Sequence, residues 1–174
     1  MNNQNECLKI YCEAFGDDEP DFTELLFKNC FGNCVYKKTE KGIASMFFAL
    51  ECEIETKTNV IPAIYIYAAA TRKDLRGLGF MSQLLEEYKS KTDENSVLFL
   101  RPANEGLIKF YKNLGFRESC GVNNNLALPK VNPVGSFAKI TEDIKTGDGE
   151  KFTLMYFSKS KIDIDNLQFI YSME

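Results

Sequence analysis

Residues 65–88 read YIYAAATRKDLRGLGFMSQLLEEY, two segments of different periodicity joined by a short basic link that contains glycine. Ahead of the link, residues 61–70 are rich in Ile and Tyr and then turn small, the composition of a central strand that something approaches closely near its C-terminal end. Behind it, Phe80, Leu84 and Tyr88 recur at i, i+4 and i+8 beside Met81 and Leu85, which predicts a helix over 79–91. Gly77 and Gly79 stand at the junction. A residue without Cβ lets the backbone come close to a ligand there, and the first turn of the helix offers unpaired N–H groups at the positive end of its dipole. Arg72, Lys73 and Arg76 add positive charge within five residues. A pyrophosphate suits such a cradle; a plain helix start with a solvated basic loop is the other reading of the same residues.

Further along the chain, residues 97–100 form a short apolar strand. Residues 104–114 return to helical spacing through Leu107, Phe110 and Leu114, with Gly115 where a left-handed C-cap belongs. Strand, helix, strand, helix is a parallel α/β unit. Toward the N-terminus, Cys7, Leu8, Tyr11, Cys12 and Phe15 predict a first helix stopped by Gly16. A second is expected with Asp21 and Glu24 as a capping box behind Pro20, its apolar face built from Phe22, Leu25, Leu26 and Cys30 and ending at Gly32. Residues 34–37 and 43–55 read as a hairpin around Glu40-Lys41-Gly42, with Glu51, Glu53 and Glu55 alternating against Cys52 and Ile54. Beyond Phe116 the pattern weakens. Residues 121–130 are rich in Asn, turn-forming residues run on to Gly149, and only 151–158 stands out as a strand. The tail, through Ile162, Ile164, Phe169 and Tyr171, reads equally as a strand or a packed loop.

Composition narrows the function classes. At 174 residues, with 44% apolar side chains, 14 Phe and 8 Tyr, the chain can bury a core without disulfides or metal, and one domain over residues 1–174 is expected. Twenty-one basic against 25 acidic residues leave a net charge of -4, so no global basic field draws in nucleic acid. The chain has no histidine, which removes Ser-His-Asp catalysis, His-ligated zinc and an imidazole base. Six cysteines lack C-x-x-C spacing and are expected as free thiols. The longest apolar run, 61–70, is far short of the ~20 residues that cross a bilayer. The expectation is a soluble cytoplasmic protein without metal, nucleic-acid or membrane partners.

These blocks carry a family resemblance. The sequence resembles the GNAT N-acetyltransferase superfamily: residues 65–88 look like its acetyl-CoA signature R-x-x-G-x-G/A, with Arg76 as R, Gly79 as the first Gly and Met81 at the Gly/Ala position. Residues 100–116, LRPANEGLIKFYKNLGF, are similar to the family's strand followed by N-x-x-x-x-x-F-Y-x-x-x-G-F. The resemblance implies an α/β fold with a mixed, mostly antiparallel central sheet, a splayed parallel strand pair and flanking helices. A strand before the first helix, usual in the family, is either absent or built from a few polar residues.

The resemblance also implies acetyl-CoA, or coenzyme A, as co-substrate, held by Ala69, Ala70, Thr71, Arg76, Gly77, Leu78, Gly79, Phe80, Met81 and Asn104. The N–H groups of Arg76 to Met81 would hold the pyrophosphate, and a strand N–H near Ala69 would stabilise the oxyanion. Tyr111 is implied as the catalytic acid to the coenzyme A thiolate, with core packing beside Phe110 as its alternative. Asn104 is an N-cap or a pantetheine contact. The acceptor is expected to be a small-molecule or peptide amine, and the protein a monomer or homodimer. Glu51, Glu53 and Glu55 are available carboxylates but read as a solvated strand face. Part of the acceptor cleft is expected from 121–149. Two other classes compete. A dinucleotide enzyme fits poorly, because Ser82 stands at the third glycine of G-x-G-x-x-G and the basic link is long. A noncatalytic acyl-CoA-binding or partner-binding module of the same fold fits better.

Overall fold

The computed structural model describes residues 2–16, 19–124, 127–141, 149–162, 164 and 166–169. Two compact units divide the chain: residues 1–50 with 66–92, and residues 51–65 with 93–174.

In the first unit, α1 (Asn3–Phe15) begins where the Asn2 side chain accepts from the Gln4 N–H, and ends at Gly16, whose φ is 80°. Cys7, Ile10 and Tyr11 form its buried stripe. No strand precedes it among the described residues. The capping box expected for α2 (Pro20–Cys30) is not formed. Pro20 itself takes the first helical turn, Glu19 becomes the N-cap, and no side chain caps it. The apolar face is correspondingly turned: Thr23, Leu26, Phe27 and Cys30 are buried, whereas Leu25 is exposed and Phe22 lies half-buried, edge-on to Tyr67. Phe27 contributes most to this face, meeting Tyr11 at 5.6 Å and Phe48 at 5.2 Å between ring centroids.

β1 (Cys34–Thr39) pairs antiparallel with the start of β2 (Gly42–Glu55), from Thr39↔Gly42 to Cys34↔Phe48, as the hairpin reading expected. Gly42 allows the turn with φ 94°. α3 (Phe80–Lys91) buries Leu84 and Leu85, and its Tyr88 meets Phe47 edge-on at 5.3 Å. An ion pair joins Lys37 to Glu87.

In the second unit, β3 (Val60–Thr71) contributes its first half, parallel to β4 (Val97–Leu100) from Ala63↔Val97 to Tyr65↔Phe99. β4 lies antiparallel to β7 (Lys151–Phe157), and β7 lies antiparallel to β5 (Arg117–Val122). β8 (Leu167–Phe169) is parallel to both β5 and β6 (Lys130–Pro133). β6 then pairs antiparallel with the end of β2, from Cys52↔Pro133 to Glu55↔Lys130. The strand order is β1-β2-β3-β4-β7-β5-β8-β6, and the β6–β2 ladder closes the strands of this unit on themselves, leaving fewer unpaired edges. Aromatic side chains fill it: Tyr65 stacks on Phe99 at 5.1 Å, Phe99 meets Phe169 at 5.6 Å, and Phe152 meets Phe169 at 5.2 Å. The short α5 (Gly135–Thr141) adds Phe137 and Ile140 to the buried set, and α4 (Glu105–Asn113) completes the helices.

The result is a mixed α/β fold with a mostly antiparallel sheet, parallel pairs within it and flanking helices, as expected. The stretch after Phe116 departs from its sequence reading: β5, β6 and α5 lie in or overlap residues 117–149, where no element was expected, while most of the Asn-rich stretch 121–130 stays outside them. β8 makes part of the tail a strand, while Tyr171 lies outside the described residues.

Candidate functional site

The basic, glycine-containing junction lies in the first unit. β3 ends at Thr71, whose hydroxyl shares a 2.8 Å hydrogen bond with that of the fully buried Ser45. The next N–H, from Arg72, donates to the Ala44 carbonyl at 2.9 Å. A single 3-10 turn, Lys73–Leu75, follows, and buried Leu75 anchors it. Arg76 is extended, Gly77 has φ 78° and Gly79 has φ 79°. A Cβ on either glycine would meet nothing within 4 Å, so the need for glycine is conformational rather than steric. Between them Leu78 is 60% exposed. Gly79 is the N-cap of α3 and no side chain caps that helix, which leaves the N–H groups of its first turn to be satisfied from outside.

The positive charge is distributed differently from the sequence reading. The Arg72 guanidinium is committed, donating to both Asp74 carboxylate oxygens at 2.7 and 3.2 Å and to the Lys41 carbonyl at 2.6 Å. That hydrogen-bonded pairing holds the Asp74 carboxyl below its ordinary range. Arg76 stays exposed, its Nε donating to the Thr71 carbonyl at 3.1 Å across the turn. Among the strand residues singled out, Ala69 is half-buried and Ala70 buried. Their neighbour Ala68 is a feature that the sequence did not reveal. It has φ 52°, a left-handed conformation that costs an alanine roughly 1–2 kcal/mol and breaks the regularity of β3 three residues before its end.

Asn104 and Tyr111 belong to the second unit. Asn104 is the N-cap of α4, its Oδ1 accepting from the Leu107 N–H at 3.0 Å, so the capping half of its expected role is present. Tyr111 is the one buried residue of α4, its ring edge-on to Phe110 at 5.1 Å and to Phe116 at 5.6 Å. Desolvation pushes its phenol up to about 12, and among the described residues its hydroxyl has no hydrogen-bond partner. The ring serves packing.

Of the alternating carboxylates on β2, Glu55 is held by Asn132 at 3.0 Å and Lys130 at 3.1 Å, which lowers its pKa. Glu51 and Glu53 lie on the exposed face. All six cysteines are free thiols; a hydrogen bond with Cys7, together with burial, raises Cys34 well above the ordinary thiol range, the reverse of nucleophile activation. No described helix is long and apolar enough to cross a membrane.

With this geometry in place, comparison with known proteins is decisive on family. Residues 2–118 match the acetyltransferase (GNAT) domain. The chain belongs to the GNAT acetyltransferase family. The matched span contains the whole junction, Asn104 and Tyr111; β6, α5, β7 and β8 lie beyond this GNAT match. No curated protein matches the chain. Among solved structures it resembles a GCN5-related N-acetyltransferase from Anabaena variabilis, with TM-score 0.56 and 20% identity over 69% of this chain and 31% of that one. It resembles the histone acetyltransferase HPA2 and related acetyltransferase from Corynebacterium glutamicum with TM-score 0.58 and 14% identity, covering 93% of this chain and 94% of that one. Arabidopsis thaliana Naa50, solved with the bisubstrate analogue CoA-Ac-MVNAL, gives 0.52 and 16%, covering 91% and 94%. The chain spans about a third of the length of the Anabaena protein and of similar structures from Enterococcus faecalis and Kribbella flavida, at 31%, 30% and 33%. At these identities the likeness establishes a GNAT fold and leaves the substrate open.

Proposed function

We propose that residues 1–174 act as one GNAT domain that transfers an acetyl group from acetyl-CoA directly to a primary amine. The observation that carries this reading is the junction: two left-handed glycines, an exposed Arg76 and an uncapped helix start, all inside the family match. In this reading the N–H groups of Arg76 to Met81 take the diphosphate and Arg76 adds charge. The β3–β4 ladder stops at Tyr65↔Phe99 while β3 runs on to Thr71, which supports pantetheine bonding along Ala69 to Thr71. An N–H near Ala69, beside the break at Ala68, is assigned to the oxyanion.

The acceptor nitrogen attacks the thioester carbonyl as a free amine, the C–S bond breaks, and the proton lost from nitrogen is balanced by the proton gained on sulfur. Tyr111 is assigned as donor to that sulfur. A phenol held near 12 keeps its proton at neutral pH, and against a thiol of ordinary pKa ~8.5 it works by stabilising the nascent thiolate through a hydrogen bond, with full transfer coming late. Small-molecule and peptide amines both fit this chemistry.

The test is thiol release from acetyl-CoA against a panel of small amines and peptide N-termini. Transfer to at least one acceptor is expected. Coenzyme A binding with no transfer to any acceptor would favour a noncatalytic acyl-CoA-binding module.

A further inference from the structure

The C-terminal turn of α1 carries Glu13 and no basic residue, although the negative end of a helix dipole disfavours a carboxylate there. Glu13 serves a partner outside its helix. Its Oε2 accepts from the Lys73 backbone N–H at 3.0 Å, at the first residue of the 3-10 turn that leads into the glycine link. Glu6, seven residues earlier and so on the same face of α1, accepts in the same way from the Ile43 N–H at 2.9 Å. Two carboxylates thus fasten one helix face to the start of β2 and to the loop.

Arg72 reinforces the loop through Asp74 and the Lys41 carbonyl. Glu6, Glu13 and Arg72 line an open pocket of about 380 Å³ with Lys9, Lys41, Gly42 and Ile43. Because Glu6 and Glu13 accept from backbone N–H groups and Arg72 is held by Asp74 and the Lys41 carbonyl, the pocket reads as the hollow beneath a fastening rather than as a ligand site.

We infer that Glu13 is a positioning residue for the anion-binding loop: by holding the Lys73 N–H it fixes the path of residues 72–76, from which Arg76 and the glycine link are presented to a diphosphate. The inference rests on the reading of that link as the coenzyme A diphosphate site. Two effects of the carboxylate oppose each other. Its charge can only disfavour a nearby anion, whereas its hydrogen bond orders the loop that binds one. Neutralising Glu13 while keeping an acceptor oxygen separates them.

The experiment compares wild type, Glu13→Gln, Glu13→Ala and Arg76→Glu by calorimetric titration with coenzyme A and, without ligand, by hydrogen exchange of the amides of residues 73–79. Glu13 is exposed, so the variants are expected to fold. Loss of a hydrogen bond to a charged group predicts that Glu13→Ala binds coenzyme A about five- to tenfold more weakly, with faster exchange through 73–76. KM for acetyl-CoA should rise while kcat holds. Glu13→Gln, still an acceptor, should bind within about twofold of wild type or more tightly. Wild-type affinity or unchanged exchange in Glu13→Ala would overturn the inference, as would Glu13→Gln weakened to the same degree. A wild-type chain that binds no coenzyme A would instead contradict the reading of the link itself; that outcome is distinct from one in which only Arg76→Glu is impaired.

Discussion

Tyr111 shows how much one residue's surroundings can decide. Burial raises its phenol from 10 to about 12, so the folded state holds the proton more tightly than the unfolded chain. The stability this contributes is fully present below pH 10 and is lost as pH rises toward 12. An alkaline unfolding series should therefore show wild type losing stability across that window more steeply than Tyr111→Phe. In catalysis, Tyr111→Phe is expected to lower kcat by about 100-fold with coenzyme A affinity little changed; equal losses in both would leave the ring with packing alone. Gly79 is a residue of the opposite kind, with open space around it and φ 79°. Gly79→Ala should cost about 1 kcal/mol in urea unfolding through left-handed strain, and should weaken coenzyme A binding. An unchanged midpoint would mean that the link relaxes without penalty.

At the level of elements, caps and close approaches govern. Because Asn104 Oδ1 closes the first turn of α4, Asn104→Ala is expected to destabilise by about 1 kcal/mol while Asn104→Asp keeps the melting temperature. A drop of equal size in both would point to the amide nitrogen instead of the cap. In β5, Gly121 lies opposite Phe152 of β7, and an added Cβ would come within 2.3 Å of that ring. Gly121→Ala should cost about 1–3 kcal/mol by overpacking, measured by thermal unfolding, without altering coenzyme A affinity. The same elements show what the sequence could reveal. α3 and α4 were legible because their apolar residues keep a helical period, β3 and β4 because they are short apolar runs, and the stops at Gly16 and Gly115 because glycine takes the positive φ both adopt. α2 was shifted because Pro20 outweighed the Asp21–Glu24 pattern as a helix start. β5 and β6 were hidden because they are stabilised by partners distant in sequence, and residues such as Gly121 and Asn132 carry no strand preference of their own.

For the molecule as a whole, sequence and structure speak to different parts of the chemistry. The proposed donor side is read locally, from residues 65–88 and 100–116, since a loop fit for a diphosphate needs only glycine, a cation and a helix start. Even so, the charge of Arg72 proved to be structural, and the bend at Ala68 was invisible because alanine has no preference for it. The acceptor side carries no such local signature, and the strands beyond residue 118 lie outside the family match. If the Arg76–Met81 backbone grips the diphosphate of a thioester carrier in this protein of net charge -4, a crystal structure of the chain with coenzyme A bound will show phosphate oxygens on the N–H groups of that link. Coenzyme A density seated elsewhere, with the link untouched, would overturn the proposed site.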